Sequence, residues 1–404
     1  MISPEVGARG AGYLRESVMS EKRLSTIAHA GLFAEPRHVD SRFLEALTMS
    51  NFGFAEYLWI DGACPTQGIR SKARVVSVPD HPGVADFPEW SFDGSSTGQA
   101  DGSDSDCILV PVRVYNDPFR GEGNYLVLCE VDAANGGAHS SNHRAKLRAI
   151  LADAGRELDP WLGFEQEYTM FRDGRPLGFP KDGFPAPQGQ YYCGAGSENA
   201  FGREIVEAHA RACVDAGVMI YGVNAEVMPG QWEFQVGYRG IEGENCGALR
   251  VADDTWTGRY LLKRVSEQFD VAISFDNKPV KGDWNGAGMH TNFSTVYTRD
   301  PARGLAAIDA IVDALEVRHD ADIAHFGDKL AERLTGLHET CSIKTFKSGV
   351  AHRGASIRIP QPVAKNGYGY LEDRRPGANS DPYRVGICLI DAVVRSGFDR
   401  ELAA

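Results

Sequence analysis

Alternating apolar and polar positions are the strongest pattern along the chain, and they predict strands first. Residues 55–60 (AEYLWI) run into the turn pair Asp61-Gly62, and Ile69–Val78 alternates throughout, so 55–78 reads as a hairpin. Two more apolar runs of strand length follow at 107–112 and 125–130. Before them, 90–106 (WSFDGSSTGQADGSDSD) is so rich in Gly, Ser and Asp that a flexible loop is expected. It is no EF-hand, because neither Asp101 nor Asp104 is followed by a Glu at the twelfth loop position. Before residue 50 only 41–47 suggests a helical turn or two.

The break Ala134-Asn135-Gly136-Gly137 leads into a predicted helix over 140–155, with Ser140 or Ser141 as N-cap and Gly155 just past its end. Next comes 161–171, WLGFEQEYTMF, an apolar strand carrying two carboxylates. Strand side chains alternate faces, so Glu165 and Glu167 point the same way. Paired carboxylates on such a strand repel and lose hydration, which calls for a divalent cation or an Arg pair in front of them. The plainer alternative is a solvent-facing edge. A Gly/Pro loop over 172–196 precedes a helix, 199–216, stopped by Gly217. Strands at 219–227 and 231–237 are joined through Met228-Pro229-Gly230-Gln231, whose Pro-Gly centre suits a type II turn. Pairing 228 with 231 sets Glu226 opposite Glu233 and Asn224 opposite Gln235, a second like-charge pair that wants a cation.

Residues 238–256 read as a Gly- and Asp-rich excursion, followed by a helix near 256–268 and a strand at 271–275. Residues 289–294 are extended, with His290, Asn292 and Ser294 on one face. Alone, His290 reads more readily as a satisfied core histidine than as a ligand. Helix dominates 302–333, Arg358 sits in a strand at 355–360, and a last helix starts near Asp381. Strands that each carry inward polar residues imply a curved sheet or partial barrel whose concave face is a site. There is no internal repeat.

Composition narrows the function classes. The 404 residues are 43% hydrophobic and 24% charged, with net charge 42 − 55 = −13. Such an acidic chain argues against a nucleic-acid or anionic-membrane partner. No apolar run approaches the roughly 20 residues that span a bilayer, and the N-terminus lacks the apolar core of a signal peptide. Eight scattered Cys without a C-x-x-C pair read as reduced thiols, so a cytoplasmic location is expected.

Glu165, Glu167, Glu226, Glu233, Glu372 and His290 are hard-to-borderline ligands suited to Mg²⁺ or Mn²⁺. Arg333, Arg353, Arg358 and Arg374 crowd the last quarter of the chain. Arg with a divalent metal is how a site neutralises transferring phosphoryl groups, although surface ion pairing accounts for any one of these Arg taken singly. Neither a G-x-x-x-x-G-K-[ST] loop nor a strand–helix G-x-G-x-x-G is present, so a nucleotide must be held another way.

Taken in order, PEWSFDGSST, EQEYT, PQGQYYCG, NAEVMPGQWEFQVG, NGAGMHTNFS, RLTGLHET, HRGASIRIP and YLEDRRP resemble the successive motifs of glutamine synthetase, type II, the eukaryotic-like class. The resemblance implies an α+β chain: an N-terminal extension (1–53), a small β-grasp domain (54–135), and a catalytic domain (136–404) on a curved antiparallel sheet with flanking helices. It implies ligation of ammonia to glutamate with ATP, through γ-glutamyl phosphate, at a site with two or more Mg²⁺ or Mn²⁺ ions. By the same resemblance Glu167, Glu226 and Glu233 hold one metal, and Glu165, His290 and Glu372 the other. Arg333, Arg353 and Arg374 hold the glutamate carboxylates and the phosphate, and Asn285 and Gly286 the glutamate backbone. Asn292, Phe293, Ser294, Arg358 and Tyr370 line the nucleotide pocket. Asp93, Ser96, Tyr192 and Glu339 form the ammonium site, with the Asp93 loop reaching into a neighbouring subunit of a ring-shaped homodecamer. The extension is longer than the family pattern, and 238–256 is expected to carry an insertion. The competing readings are a γ-glutamyl-amine ligase using a larger amine, a non-catalytic structural relative, and a two-metal hydrolase with convergent carboxylates.

Overall fold

A computed structural model describes residues 51–153 and 155–396. The helical turn expected at 41–47 lies outside the described residues.

The first sheet has five strands in the order β2-β1-β5-β4-β3. These are β1 (Asn51–Ile60), β2 (Ile69–Val78), β3 (Trp90–Asp93), β4 (Asp106–Asn116) and β5 (Tyr125–Asp132). β1 and β2 form the expected hairpin, and β1 pairs in parallel with β5. One face packs Tyr57, Trp59, Phe92, Leu109 and Val127 into a core of its own. The first part of the expected 90–106 loop is strand β3, because Phe92 buries its ring against Trp59 (centroids 4.8 Å apart) and Asp93 pairs with Asp106.

The second sheet has nine strands. They are β6 (Trp161–Arg172), β7 (Arg175–Pro176), β8 (Ile220–Ala225), β9 (Gln231–Val236), β10 (Ala272–Ser274), β11 (Met289–Ser294), β12 (Ser348–Val350), β13 (Ile357–Ile359) and β14 (Leu371–Asp373). Their order is β12-β13-β14-β11-β6-β9-β8, with β7 and β10 also on β6, and every pairing is antiparallel except β12–β13. The EQE strand β6 is therefore the hub. Its apolar residues Phe164, Tyr168 and Met170 are buried under flanking helices α1 (His143–Asp153), α2 (Arg203–Ala216), α3 (Ala248–Glu267), α4 (Gly304–Val317) and α5 (Pro382–Ser396). Among the described residues no helix is long and apolar enough to cross a membrane.

Buried ion pairs join the two sheets. The Arg144 guanidinium on α1 meets Glu130 of β5 at 2.7 Å and Asp253 of α3 at 2.8 Å. Arg113 of β4 and the Tyr383 hydroxyl reach the same Asp253 carboxylate, and the Tyr115 hydroxyl donates to Asp254 at 2.7 Å.

Three sequence expectations are corrected. The helix expected near 256–268 begins at Ala248, inside the supposed excursion, because Asp253 and Asp254 are buried ion-pair partners rather than loop residues. The first helix is capped by Asn142, whose side chain accepts from the Ala145 N–H at 3.0 Å, and not by Ser140 or Ser141. The β8–β9 register differs by two residues. Asn224 faces Glu233 and Ala225 faces Trp232, so Glu226 does not oppose Glu233. The turn itself forms as expected, with Gly230 at φ 74° and the Gln231 N–H donating to Met228 at 3.1 Å. The extra residues are absorbed because the Val227 carbonyl turns away to accept from the Gly189 N–H at 2.9 Å.

Candidate active site

The hub position of β6 decides which side chains meet. Its antiparallel neighbours set His290 of β11 opposite Glu165, and Glu233 of β9 opposite Glu167. Period-two alternation sends both pairs to the same face. Glu226 enters from the end of β8, and Glu372 from β14, which pairs with β11 at Asn292. Two triads result: Glu167, Glu226 and Glu233, all buried, and Glu165, His290 and Glu372. In each triad one ligand atom per residue lies within 4.8 Å of the others.

Both triads line one cavity of about 460 Å³, together with Tyr192, Asn285, Gly286, Arg333, Glu339, Arg353, Arg358 and Arg374. Burial and the charge of Glu167 push the Glu226 carboxyl up to about 8. Burial, then Glu165 and its two triad partners, push Glu233 well above the usual range. Burial also raises Glu167, although Arg333 opposes the shift. Three carboxylates held where none ionises easily are a donor set that a divalent cation fits: hard oxygens, converging, with their charge unbalanced.

Neutral donors orient these ligands. Asn224 Nδ2 donates to Glu226 at 2.9 Å, Gln235 Nε2 to Glu233 at 2.5 Å, Asn292 Nδ2 to Glu165 at 2.9 Å, and the Gly288 N–H to Glu167. His290 Nδ1 lies 3.5 Å from Glu165 and 3.8 Å from Glu372. Burial, then Arg374 and Arg333, hold the imidazole well below its ordinary pKa, so it is neutral and able to ligate. Glu372 is already held by Arg358 at 2.6 Å and by Arg374 at 2.5 Å. The Arg358 Nε, buried, has no hydrogen-bond partner among the described residues.

A second cavity, of about 370 Å³, is lined by Asn292, Phe293, Ser294 and Tyr370 with Trp161, Gly163, Tyr221, Tyr238 and Arg299. Five aromatic rings and a glycine make a slot for a flat ring. Arg358 borders the first cavity, not this one.

Asp93 and Ser96 do not line either cavity. They sit at the edge of the first sheet, where Asp93 accepts from the hydroxyls of Ser95 and Ser96, both at 2.6 Å. Those bonds hold its carboxyl down at about 2, so it stays an anion on an exposed edge. Glu339 is paired with Arg353 at 3.2 Å on a loop where His338 and Glu339 both have positive φ, 52° and 59°.

Sequence reasoning missed Asn224 and Gln235 as carboxylate-orienting groups, and His338 as a cavity residue. Asn224 and Gln235 each lie two residues from the carboxylate they orient, on the same face of the strand, a spacing that could have found them. Trp161, Tyr221, Tyr238 and Arg299 come from separate segments, and no local pattern marks them.

The comparisons agree with one another. Residues 51–133 match the glutamine synthetase β-grasp domain, and residues 142–303 match the glutamine synthetase catalytic domain. The chain is 52% identical over 351 residues to the chloroplastic glutamine synthetase of Chlamydomonas reinhardtii, covering 84% of this chain and 90% of that one. It is 51% identical over 343 residues to the glutamine synthetase of Amanita muscaria, covering 84% and 93%. It is also 51% identical over 342 residues to that of Streptomyces viridochromogenes, covering 83% and 95%. The solved structure of ligand-free GmaS superposes with a TM-score of 0.63 at 19% identity, covering 84% of this chain and 77% of that one, a likeness of fold alone.

Proposed function

The chain belongs to the glutamine synthetase family, in its eukaryotic-like type II class, and from that premise we propose how its own residues divide the work of joining ammonia to glutamate at the expense of ATP. The observation that carries the reading is the convergence of two ligand triads with Arg333, Arg353 and Arg374 in one cavity beside an aromatic slot.

The slot holds the base, and Asn292, Phe293, Ser294 and Tyr370 position the nucleotide. Arg358, with its unpartnered Nε, reaches toward the phosphates. Asn285 and Gly286 take the glutamate backbone, and Arg333 and Arg374 its carboxylates. A γ-carboxylate oxygen then attacks the terminal phosphorus of ATP, and the bond to ADP breaks. The two triads would hold divalent ions, Mg²⁺ or Mn²⁺, which would supply positive charge for phosphoryl transfer. Arg353 supports the same charge from the protein.

Ammonium is captured by carboxylates because it is a cation, and it must lose a proton before its nitrogen attacks the acyl phosphate and phosphate leaves. Glu339 is the proton acceptor within the chain. Asp93, already anionic on an exposed edge, serves the cavity of a neighbouring copy together with Ser96, and Tyr192 completes the pocket. That arrangement needs a neighbouring subunit, and by the family resemblance we take the assembly to be a ring-shaped homodecamer working in the cytoplasm. We assign residues 54–135 as the β-grasp domain and 136–404 as the catalytic domain.

ADP release tests the reading. It should require glutamate, a divalent cation and ammonium together, and methylamine or ethylamine should not replace ammonium. Turnover with a bulky amine and none with ammonium would overturn it.

A further inference from the structure

Gln188 lies in the loop before Tyr192 and carries none of the roles above. Its side-chain amide is used at both ends. Oε1 accepts from the Asn285 N–H at 2.7 Å, and Nε2 bonds His338 Nδ1 at 3.0 Å. One planar group thus spans the loop assigned to the glutamate backbone and the loop that carries Glu339. The loop holding Gln188 is itself pinned. The Gly189 N–H donates to Val227 at 2.9 Å and the Cys193 N–H to Ala225 at 3.0 Å, next to the triad residue Glu226.

On the glutamate side the amide joins a chain of polar contacts. Asn285 Nδ2 reaches Gln231 Oε1 at 3.4 Å, and Gln231 Nε2 donates to the Gly286 carbonyl at 2.7 Å. On the other side His338 and Glu339 share a positive-φ stretch that non-glycine residues adopt only when held there. The other tether on His338 is Asp283, 3.3 Å away, whose side chain is 98% exposed. Such a pair is screened by solvent and holds little. Gln188 is the better-shielded tether on His338, while the next residue, Glu339, is held by Arg353 and Arg374.

We propose that Gln188 is a positioning residue that couples glutamate occupancy at Asn285 to ammonium capture at Glu339. A substrate that tightens the Asn285 loop orders the amide, and the ordered amide holds His338 so that Glu339 faces the cavity. Linkage then runs both ways: glutamate raises the affinity for ammonium, and ammonium raises the affinity for glutamate by the same factor. The inference rests on the assignment of Asn285 to glutamate and of Glu339 to ammonium.

The test measures the ammonium KM at low and at saturating glutamate in the wild type, Gln188→Ala, His338→Ala and the double variant. In the wild type the ammonium KM should fall as glutamate rises. In Gln188→Ala it should rise about three- to tenfold at saturating glutamate, the worth of one hydrogen bond, and lose its dependence on glutamate. The KM for ATP should stay within about twofold. His338→Ala, which cuts the same bond from the other end and leaves Gln188 in place, should match it, and the double variant should cost no more than the larger single one. A purely structural role for Gln188 would instead lower melting temperature and kcat while leaving the glutamate dependence of the ammonium KM intact, and that result would overturn the proposal. So would additive losses in the double variant. Wild-type synthesis of glutamine with a glutamate-independent ammonium KM would refute the coupling and leave the reaction standing, whereas a wild type that ignores ammonium would refute the reaction.

Discussion

Raising the pH of the metal-free protein from about 6.5 to about 8 should destabilise it, and a divalent cation should abolish the effect. The reasoning starts from Glu226, whose carboxyl burial and Glu167 push up to about 8. A carboxyl raised above its unfolded value binds more protons folded than unfolded, so the folded state loses stability as pH climbs between the two values. His290, His209 and His325 are shifted the other way, chiefly by burial, so they add some stability up to about pH 7.5 and offset only part of the loss. Across about 1.5 pH units one such carboxyl costs about 2 kcal/mol at 1.36 kcal/mol per unit. Glu233, raised well above its usual range, acts in the same direction. The assay is urea unfolding of EDTA-treated protein across the window, with and without millimolar Mg²⁺ or Mn²⁺. Bound metal ligates the ionised form, so its presence should flatten the profile and release protons on binding. Metal-free stability that stays level or rises with pH would refute the picture of a buried carboxylate trio awaiting a cation.

Glu167→Ala should abolish turnover and leave the fold intact, since it removes a ligand and a buried like charge together; full activity with metal present would sink the metal assignment. Asp93→Ala should raise the ammonium KM by about one to two decades, the worth of a charge-assisted contact, and change the ATP and glutamate KM little, as steady-state kinetics would record. Mixed oligomers of Asp93→Ala and Glu167→Ala subunits should recover part of the activity that each lacks alone, and an active monomer by light scattering would contradict the shared site. Arg144→Ala should cost about 3–5 kcal/mol in chemical unfolding because it leaves Glu130 and Asp253 buried without that cation.

The hub strand was legible because alternation alone puts Glu165 and Glu167 on one face, and β6 pairs with β11 and β9 without a register shift, so that facing is kept. The partners of those carboxylates depend on register, and there local reasoning failed. Pairing 228 with 231 gave the right turn but the wrong strand alignment, since the Val227 carbonyl leaves the hairpin for Gly189, a residue in a distant loop. The start of α3 was hidden for a related reason. Asp253 and Asp254 look like loop polarity until Arg113 and Tyr115 of the other sheet, Arg144 of α1 and Tyr383 of α5 are brought to them. Asp93 read as loop because its Ser-rich surroundings are turn-forming, yet those same serines fix its charge. The aromatic slot was illegible residue by residue, as its rings come from β6, β8, β11 and two loops.

The central claim is that glutamate is activated by phosphorylation on its γ-carboxylate before nitrogen arrives. Glutamate labelled with ¹⁸O in that carboxylate, incubated with ATP, a divalent cation and ammonium, tests it most directly. Attack of a carboxylate oxygen on the terminal phosphorus carries that oxygen into the phosphate released later. The account predicts one ¹⁸O in each inorganic phosphate formed, with one glutamine and one ADP alongside. Glutamine formed together with unlabelled phosphate would contradict it.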